Sequence, residues 1–160
     1  MRRKLTVVAV LAAAAVTLAT VATAGPVAAK QRVAIQGTRT AGGSDAGVLI
    51  PLTSGALGRD SVVLTGCCFS DRFVKRDGQS IEITNLLLSF NGKHGGLVTR
   101  NRIEWIDVGK GYSVGNHTWK VVRGTGDYAR LTGHGRGAVV GLPNGALKWR
   151  FEGLVGTQGS

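Results

Sequence analysis

The sequence predicts an all-β fold, a closed antiparallel barrel of about eight strands with a calycin-like outline. Apolar and polar residues alternate with period two in several segments, and no segment sustains the i, i+3, i+4, i+7 spacing of an amphipathic helix. Turn signals such as Asp77-Gly78 and Asn91-Gly92 separate these segments at short intervals. Seven or eight strands in roughly 130 residues suit a sandwich or a barrel, and a barrel leaves no exposed edge strand.

The N-terminal half of the barrel is predicted as three strands and one long loop. Residues 31–40 form the first strand, and residues 40–60 read as a loop because Gly, Ser and Pro interrupt a short apolar island at 48–50. The next two strands are predicted over 61–70 and 80–90, the latter with apolar residues on both faces around Leu86-Leu87-Leu88.

The C-terminal half is predicted as four strands, over 96–108, 112–122, 128–140 and from 147 onward. Period-two counting assigns one face of each strand to the interior. The interior faces contain Trp105 and Asp107, Trp119 with His117, and Trp149 with Phe151. In the last strand these alternate with Lys148, Arg150 and Glu152, which is typical of a half-buried antiparallel strand.

The first 29 of the 160 residues are predicted to be a signal peptide. Arg2-Arg3-Lys4 precede an apolar stretch over 5–22, and small-residue cleavage patterns end at Ala24 and Ala29. An uncleaved membrane anchor is the alternative, but Gly25-Pro26 breaks the segment and alanine dominates over leucine. We therefore expect a secreted protein whose residues 30–160 form a single domain.

The chain is basic, with 20 Lys+Arg against 9 Asp+Glu and a net charge of +11. Cleavage of the signal removes three basic residues and leaves a net charge of +8. Such a charge favours loose association with anionic cell-wall polymers, although it also serves solubility. Specific nucleic-acid binding is not predicted, because no basic run is interleaved with aromatic residues.

The two cysteines, Cys67 and Cys68, are adjacent. Their Cα atoms are about 3.8 Å apart, below the ~4.4 Å lower end for ordinary disulfides, and on a regular strand their side chains point to opposite faces. An ordinary internal disulfide is therefore excluded. We expect one buried thiol and one neighbouring thiol, and the alternatives are a strained vicinal disulfide or a bridge to another chain.

The stretch GTGDYARLTGHGRG, residues 124–137, is rich in glycine. A phosphate-binding glycine loop leads into a helix, whereas glycine at every second position from 133 to 137 opposes one. The stretch instead predicts a tight turn at Gly124-Thr125-Gly126, an aromatic anchor at Tyr128, and a strand from Gly133 with one face reduced to hydrogen. Such a face lets the strand bend sharply or lets another group approach.

This stretch, with the preceding WKVVR and the closing LKWRFEGLVG, resembles the allene oxide cyclase and dirigent-like barrel group, in particular its exported bacterial members of unassigned role. The resemblance implies an eight-stranded antiparallel barrel with an apolar cavity, in which the plant enzymes guide cyclisation or radical coupling mostly by shape. It carries over as a fold motif to Gly124, Gly126, Tyr128 and Gly133. No catalytic carboxylate of that group can be matched to a position in this chain.

Other chemistries find little support in the sequence. Residues 111–115 fit G-x-S-x-G, followed by Asp127 and His134 in hydrolase order, but the next residues predict a strand where a nucleophile elbow needs a helix. His94, His117 and His134 do not share the spacing of metal ligands, and isolated histidines on strands are usually surface residues or hydrogen-bonded ones. We predict no metal and no cofactor.

The function predicted from these observations is binding of a small apolar or aromatic ligand inside the barrel. The candidate lining comprises Trp105, Trp119, Trp149, Phe151, Glu82 and Asp107. One alternative is a cyclase or isomerase that steers a reactive intermediate by the shape of the cavity, and another is a wall-associated polyanion binder. A carboxylate facing a large cavity favours the enzyme, and basic residues gathered on one face of a filled barrel favour the polyanion binder.

Overall fold

The computed structural model describes residues 30–43 and 45–157, and the predicted signal peptide lies outside this range. Apart from one short 3-10 turn at Gly126–Tyr128, the regular structure is β-strand. The strands are β1 Gln31–Arg39, β2 Asp45–Pro51, β3 Asp60–Arg76, β4 Gln79–Gly92, β5 Gly95–Gly109, β6 Tyr112–Gly124, β7 Leu131–Gly141 and β8 Leu147–Thr157.

Each strand pairs antiparallel with the next strand along the chain, and β8 pairs with β1. The eight strands therefore make one closed, barrel-like sheet. The prediction of an all-β fold with eight antiparallel strands is confirmed. Because every strand has two hydrogen-bonded neighbours, the sheet leaves no open edge.

The sequence-based strand boundaries differ from the structure in four places. The strand predicted to begin at Tyr128 begins at Leu131, because Gly126–Tyr128 form a 3-10 turn. The predicted loop over 40–60 contains β2, whose apolar island is too short to reveal a seven-residue strand bounded by Asp45 and Pro51. Strand β3 continues to Arg76, beyond the predicted end at residue 70. Asn91-Gly92 lies at the end of β4, and the turn falls on Lys93-His94.

The antiparallel order places the chain connections alternately at the two ends of the barrel. We call the end with the β2–β3, β4–β5 and β6–β7 connections the closed end. The other, which we call the open end, has the turns at Asp77-Gly78 and Lys110-Gly111 as well as the β1–β2 and β7–β8 connections.

The closed end is filled by apolar side chains and covered by the long β2–β3 loop. Leu57 of this loop is buried, and its N–H donates to Gln31 Oε1 at 2.9 Å while Gln31 Nε2 donates to its carbonyl at 3.1 Å. Several other buried residues belong to the same core: Val33, Val62, Leu97, Trp119, Val121, Leu131 and Val155.

A hydrogen-bonded group at the closed end centres on Asp60, which is buried. Its carboxylate accepts hydrogen bonds from Tyr128 Oη at 2.8 Å and from the N–H groups of Lys93 and His94 at 3.1 and 3.2 Å. Burial opposes ionisation of Asp60, but these donors outweigh it and lower the pKa of its carboxyl group. The buried ring of Tyr128 thus ties the β6–β7 link to β3, as the predicted aromatic anchor requires.

The alternate glycines of β7 make room for groups from neighbouring strands, which is one of the two outcomes that the sequence predicts. Gly135 lies directly between Trp119 of β6 and Gly153 of β8, and a Cβ at either glycine would collide with the indole. The same arrangement recurs where Trp149 lies over Gly37 and Gly47. In an interior this narrow, a large ring fits flat against the sheet only where the neighbouring strand has no side chain.

Candidate functional site

The open end contains a cavity of about 430 Å³ that opens to solvent. This volume lies within the ~300–1,000 Å³ range of small-molecule sites. Its walls are mostly apolar, with a few polar and charged groups. The lining residues are Arg39, Asp45, Leu64, Phe69, Asp71, Glu82, Thr84, Leu86, Leu88, Ile103, Trp105, Ser113, His117, Val139, Leu147, Trp149 and Phe151.

Four of the six residues predicted to line a cavity lie around it: Trp105, Trp149, Phe151 and Glu82. Glu82 pairs in register with Trp105 across β4 and β5, and both are half-buried near the mouth. Trp149 and Phe151 are buried deeper, and their rings pack edge-to-face with centroids 5.5 Å apart. The period-two prediction therefore identifies aromatic residues of β5 and β8 that line the cavity.

The other two predicted residues lie outside this cavity. Trp119 is packed in the filled half of the barrel, where its Nε1 donates to the carbonyl of Arg136 at 3.3 Å. Asp107 is exposed at the rim and accepts a hydrogen bond from the N–H of Gly109 at 2.7 Å, closing the β5–β6 turn. Asp107 also borders a shallower recess of about 350 Å³ beside Trp105 and Tyr112. Period-two counting predicts which face of the sheet a side chain lies on, but it does not predict how deep in the barrel the side chain lies. That depth decides whether an inward side chain lines the cavity or packs in the core.

His117 lines the cavity, although the sequence indicated an ordinary histidine. It is 3% exposed, and its ring lies 4.0 Å from that of Phe151, centroid to centroid, across Gly137. Burial lowers the pKa of His117 to about 4, so the imidazole is neutral at pH 7. The signal available in the sequence was its position on the same face of β6 as Trp119.

Arg39 and Asp45 form an ion pair at the cavity, and neither residue was predicted from the sequence to lie there. They are cross-strand partners at the β1–β2 connection, and Arg39 donates from Nε and Nη2 to Asp45 Oδ2 at 2.9 and 2.6 Å. Asp45 is buried whereas Arg39 is partly exposed. The missed strand β2 explains the omission, because Asp45 stood inside a predicted loop.

Several buried polar atoms of cavity residues have no hydrogen-bond partner among the residues that the structure describes. They are Asp45 Oδ1, both ring nitrogens of His117 and Nε1 of Trp149. An unpaired buried polar group is unfavourable by about 1–3 kcal/mol. Each of these atoms has almost no exposed surface, so none of them faces the space that is open to solvent.

The cysteines lie in a β-bulge at the wall of this cavity, and the expectation of a buried thiol is wrong. Both side chains are exposed, and the Sγ atoms are 2.8 Å apart. Between the pairs Cys67–Leu87 and Ser70–Asn85, β3 contains one residue more than β4, and Cys68 takes φ 61°. The bulge removes the regular alternation that would have sent the two side chains to opposite faces.

The outer wall contains uncompensated positive charge. Arg100 of β5 and Lys120 of β6 are direct cross-strand neighbours, and the row continues to His134 of β7. All three are exposed, and no ion pair within residues 30–43 and 45–157 neutralises Arg100 or Lys120. Like charges directly opposite each other are unfavourable in a sheet.

The remaining motifs do not form a reactive site. Ser113 lies at the open end, Asp127 lies at the closed end, where its carboxylate is 3.1 Å from His94 Nδ1, and His134 is on the outer wall. No cluster of three metal-ligating side chains occurs among the described residues. Within this part of the chain there is also no helix long and apolar enough to span a membrane.

Comparison with known proteins returns no match to a family model, to a curated protein or to a solved structure.

Proposed function

We propose that this protein is a secreted barrel that binds a small apolar or aromatic molecule in the cavity of its open end. The observation that carries the proposal is the cavity of about 430 Å³ with an aromatic wall, at one end of a barrel whose other end is filled. Apolar clefts with a few convergent polar groups are the common form of small-molecule sites.

The polar atoms narrow the class of ligand. His117 is neutral, the ring nitrogens of His117 and Trp149 are buried, and Arg39 is already paired with Asp45. A neutral, mostly apolar ligand that contains a ring suits this environment better than an anion does. We also propose that the barrel has a calycin-like outline and belongs with the allene oxide cyclase and dirigent-like group that its sequence resembles. Both proposals are consistent with an apolar ligand.

The test is titration with N-phenylnaphthylamine, a neutral dye whose emission rises in apolar surroundings. We expect saturable one-site binding that is nearly independent of salt. Trp105→Ala should weaken it about tenfold or more, because half-buried Trp105 lines the mouth, whereas Lys148→Ala, on the outer face of β8, should leave it unchanged. Absence of saturation, or equal affinity in the two variants, would contradict the proposal.

A second candidate function is catalysis in the same cavity. The observation that favours it is the presence of carboxyl groups, Glu82 and Asp71, in a mostly apolar wall that also contains neutral His117. Such groups could move a proton while the cavity holds a reactive intermediate in one conformation. Turnover of an unsaturated epoxide or selective coupling of a phenoxy radical, lost in Glu82→Gln or His117→Gln with dye binding retained, would establish the enzyme.

A third candidate is association with anionic polymers such as those of a cell wall, for which the row of Arg100, Lys120 and His134 is the specific observation. A polyanion would relieve the repulsion between the adjacent cations. Retention on a polyphosphate resin should fall steeply with salt, and it should be weaker in Arg100→Gln/Lys120→Gln than in Lys75→Gln/Lys148→Gln, which removes the same number of charges at exposed positions outside the row. Equal retention of the two variants would leave only a diffuse effect of net charge.

A further inference from the structure

The bulge at Cys67 and Cys68 has a backbone conformation that needs an explanation. Cys68 is one of three non-glycine residues with positive φ in the described chain, and the other two, Asp77 and Lys110, lie in tight turns. Cys68 lies inside a strand, and Asp and Asn tolerate this conformation better than Cys does. Strain of this kind persists only where the surrounding structure imposes it, and such residues cluster at functional sites.

The strained backbone brings the two thiols together on the outside of the sheet. The Sγ atoms are 2.8 Å apart, and a disulfide bond is about 2.05 Å long. Closing the bond therefore requires the sulfurs to approach by less than about 1 Å. Both side chains are exposed, so a small reagent can reach them. The hydrogen bond between them is the main cause that raises the pKa of Cys67, which is a thiol at neutral pH.

We propose that Cys67 and Cys68 form a reversible dithiol–disulfide site that reacts with low-molecular-weight disulfides. A thiolate of the pair attacks the small disulfide and releases one small thiol, leaving a mixed disulfide on the protein. The neighbouring thiol then loses its proton, displaces the second small thiol and closes the vicinal ring. The protein loses two protons and two electrons, and the small disulfide gains them and becomes two thiols.

The site is connected to the cavity through Phe69, the residue that follows Cys68 in the bulge. Phe69 lines the cavity, and its ring lies across Gly66, where an added Cβ would be 3.0 Å from Cζ of Phe69 and 3.4 Å from Cδ2 of Leu88. Closing the ring changes the backbone next to Phe69 and so shifts this side chain at the cavity wall. This consequence rests on the proposed function, whereas the thiol chemistry does not.

The first experiment measures the chemistry alone. Fully reduced full-length protein is incubated with oxidised glutathione, free thiols are blocked with an alkylating reagent, and the intact mass is recorded. We expect the wild type to lose two hydrogens without retaining glutathione, and Cys67→Ser and Cys68→Ser each to accumulate one glutathione adduct. Dithiothreitol should restore both thiols of the wild type. A stable glutathione adduct or a disulfide-linked dimer of the wild type would overturn the proposal.

The second experiment measures the effect on the cavity. Affinity for N-phenylnaphthylamine is compared between reduced and oxidised wild type, with Cys67→Ser/Cys68→Ser under both treatments as the control. We expect at least a threefold difference in the wild type and none in the double variant. Equal affinity of the two wild-type forms would overturn the link to the cavity. If neither form binds the dye, the proposed function fails while the mass measurement still decides the thiol chemistry.

Discussion

The two ends of this barrel are built from the same eight strands and differ in what occupies their interior. At the closed end, Leu57 covers the barrel and the Tyr128–Asp60 hydrogen bond holds the β6–β7 link in place. At the open end, short turns such as Lys110-Gly111 leave the interior uncovered, and half-buried Trp105 and Glu82 line the mouth. The two ends show that one period-two pattern can encode a stabilising core and an open cavity within the same strands.

The largest expected difference between the ends concerns two tryptophans on adjacent strands. Trp119→Ala should lower the free energy of unfolding by about 3–5 kcal/mol, because it leaves a void beside Gly135 and Gly153. Trp105→Ala should lower it by only about 1 kcal/mol, because the half-buried ring already borders a cavity. Urea denaturation of both variants measures the difference. Equal losses would show that the open end is packed as a core.

The next effect is a dependence of stability on pH caused by His117. Burial lowers the pKa of His117 in the folded protein from 6.5 to about 4, so the unfolded chain binds the proton more tightly. Stability should therefore fall as pH decreases from 6.5 to 4, by on the order of 3 kcal/mol at most. Urea midpoints across this window provide the measurement. In His117→Gln, which retains exposed His94 and His134, the free energy of unfolding should change little between pH 6.5 and 4. If this variant kept the pH dependence of the wild type, a buried neutral imidazole at His117 would be contradicted.

A smaller effect is expected from the hydroxyl group that fastens the closed end. Tyr128→Phe should lower the free energy of unfolding by about 1.5–3 kcal/mol, because it removes a hydrogen bond to a buried carboxylate. Tyr112→Phe, which changes an exposed tyrosine at the open end, should have no measurable effect and serves as the control.

The same hydrogen bond should affect stability in acid. The pKa of Asp60 is lowered in the folded protein, so its contribution is complete above its ordinary value of 3.8 and is lost as pH falls below that value. Tyr128→Phe should weaken this acid dependence. Urea denaturation at neutral pH and at pH 3 measures both effects. If Tyr128→Phe had the same urea midpoint as the wild type at both pH values, the role assigned to Asp60 would be contradicted.

The smallest effect is expected on the outer wall, which belongs to neither end. Arg100→Gln should change the free energy of unfolding by less than about 0.5 kcal/mol, and in the stabilising direction, because it removes a repulsion from Lys120. Thermal denaturation at low salt shows the gain most clearly, since added salt screens the repulsion in the wild type. A loss of stability would mean that Arg100 has a structural partner.

Much of the fold could be read from the sequence, because strand faces and turns are local properties. Alternation predicts the inward faces of β5, β6 and β8 and hence Trp105, Trp149 and Phe151, and positive φ at Asp77 and Gly78 agrees with the predicted turn. The alternate glycines of β7 predicted a strand that bends sharply or lets another group approach, and in the structure the rings of Trp119 and His117 lie against Gly135 and Gly137.

The tertiary structure decided the properties that depend on position along and around the barrel. The contact between Tyr128 and Asp60 joins residues 68 positions apart, and His117 reaches Phe151 across Gly137. No local pattern encodes such contacts, because they arise from the register between strands. Likewise, alternation shows that Trp105 and Trp119 both point inward. Only closure of the sheet places Trp105 at the cavity and Trp119 in the core. The depth of a residue along the barrel is set by the stagger of the strands and by the loops that cover each end.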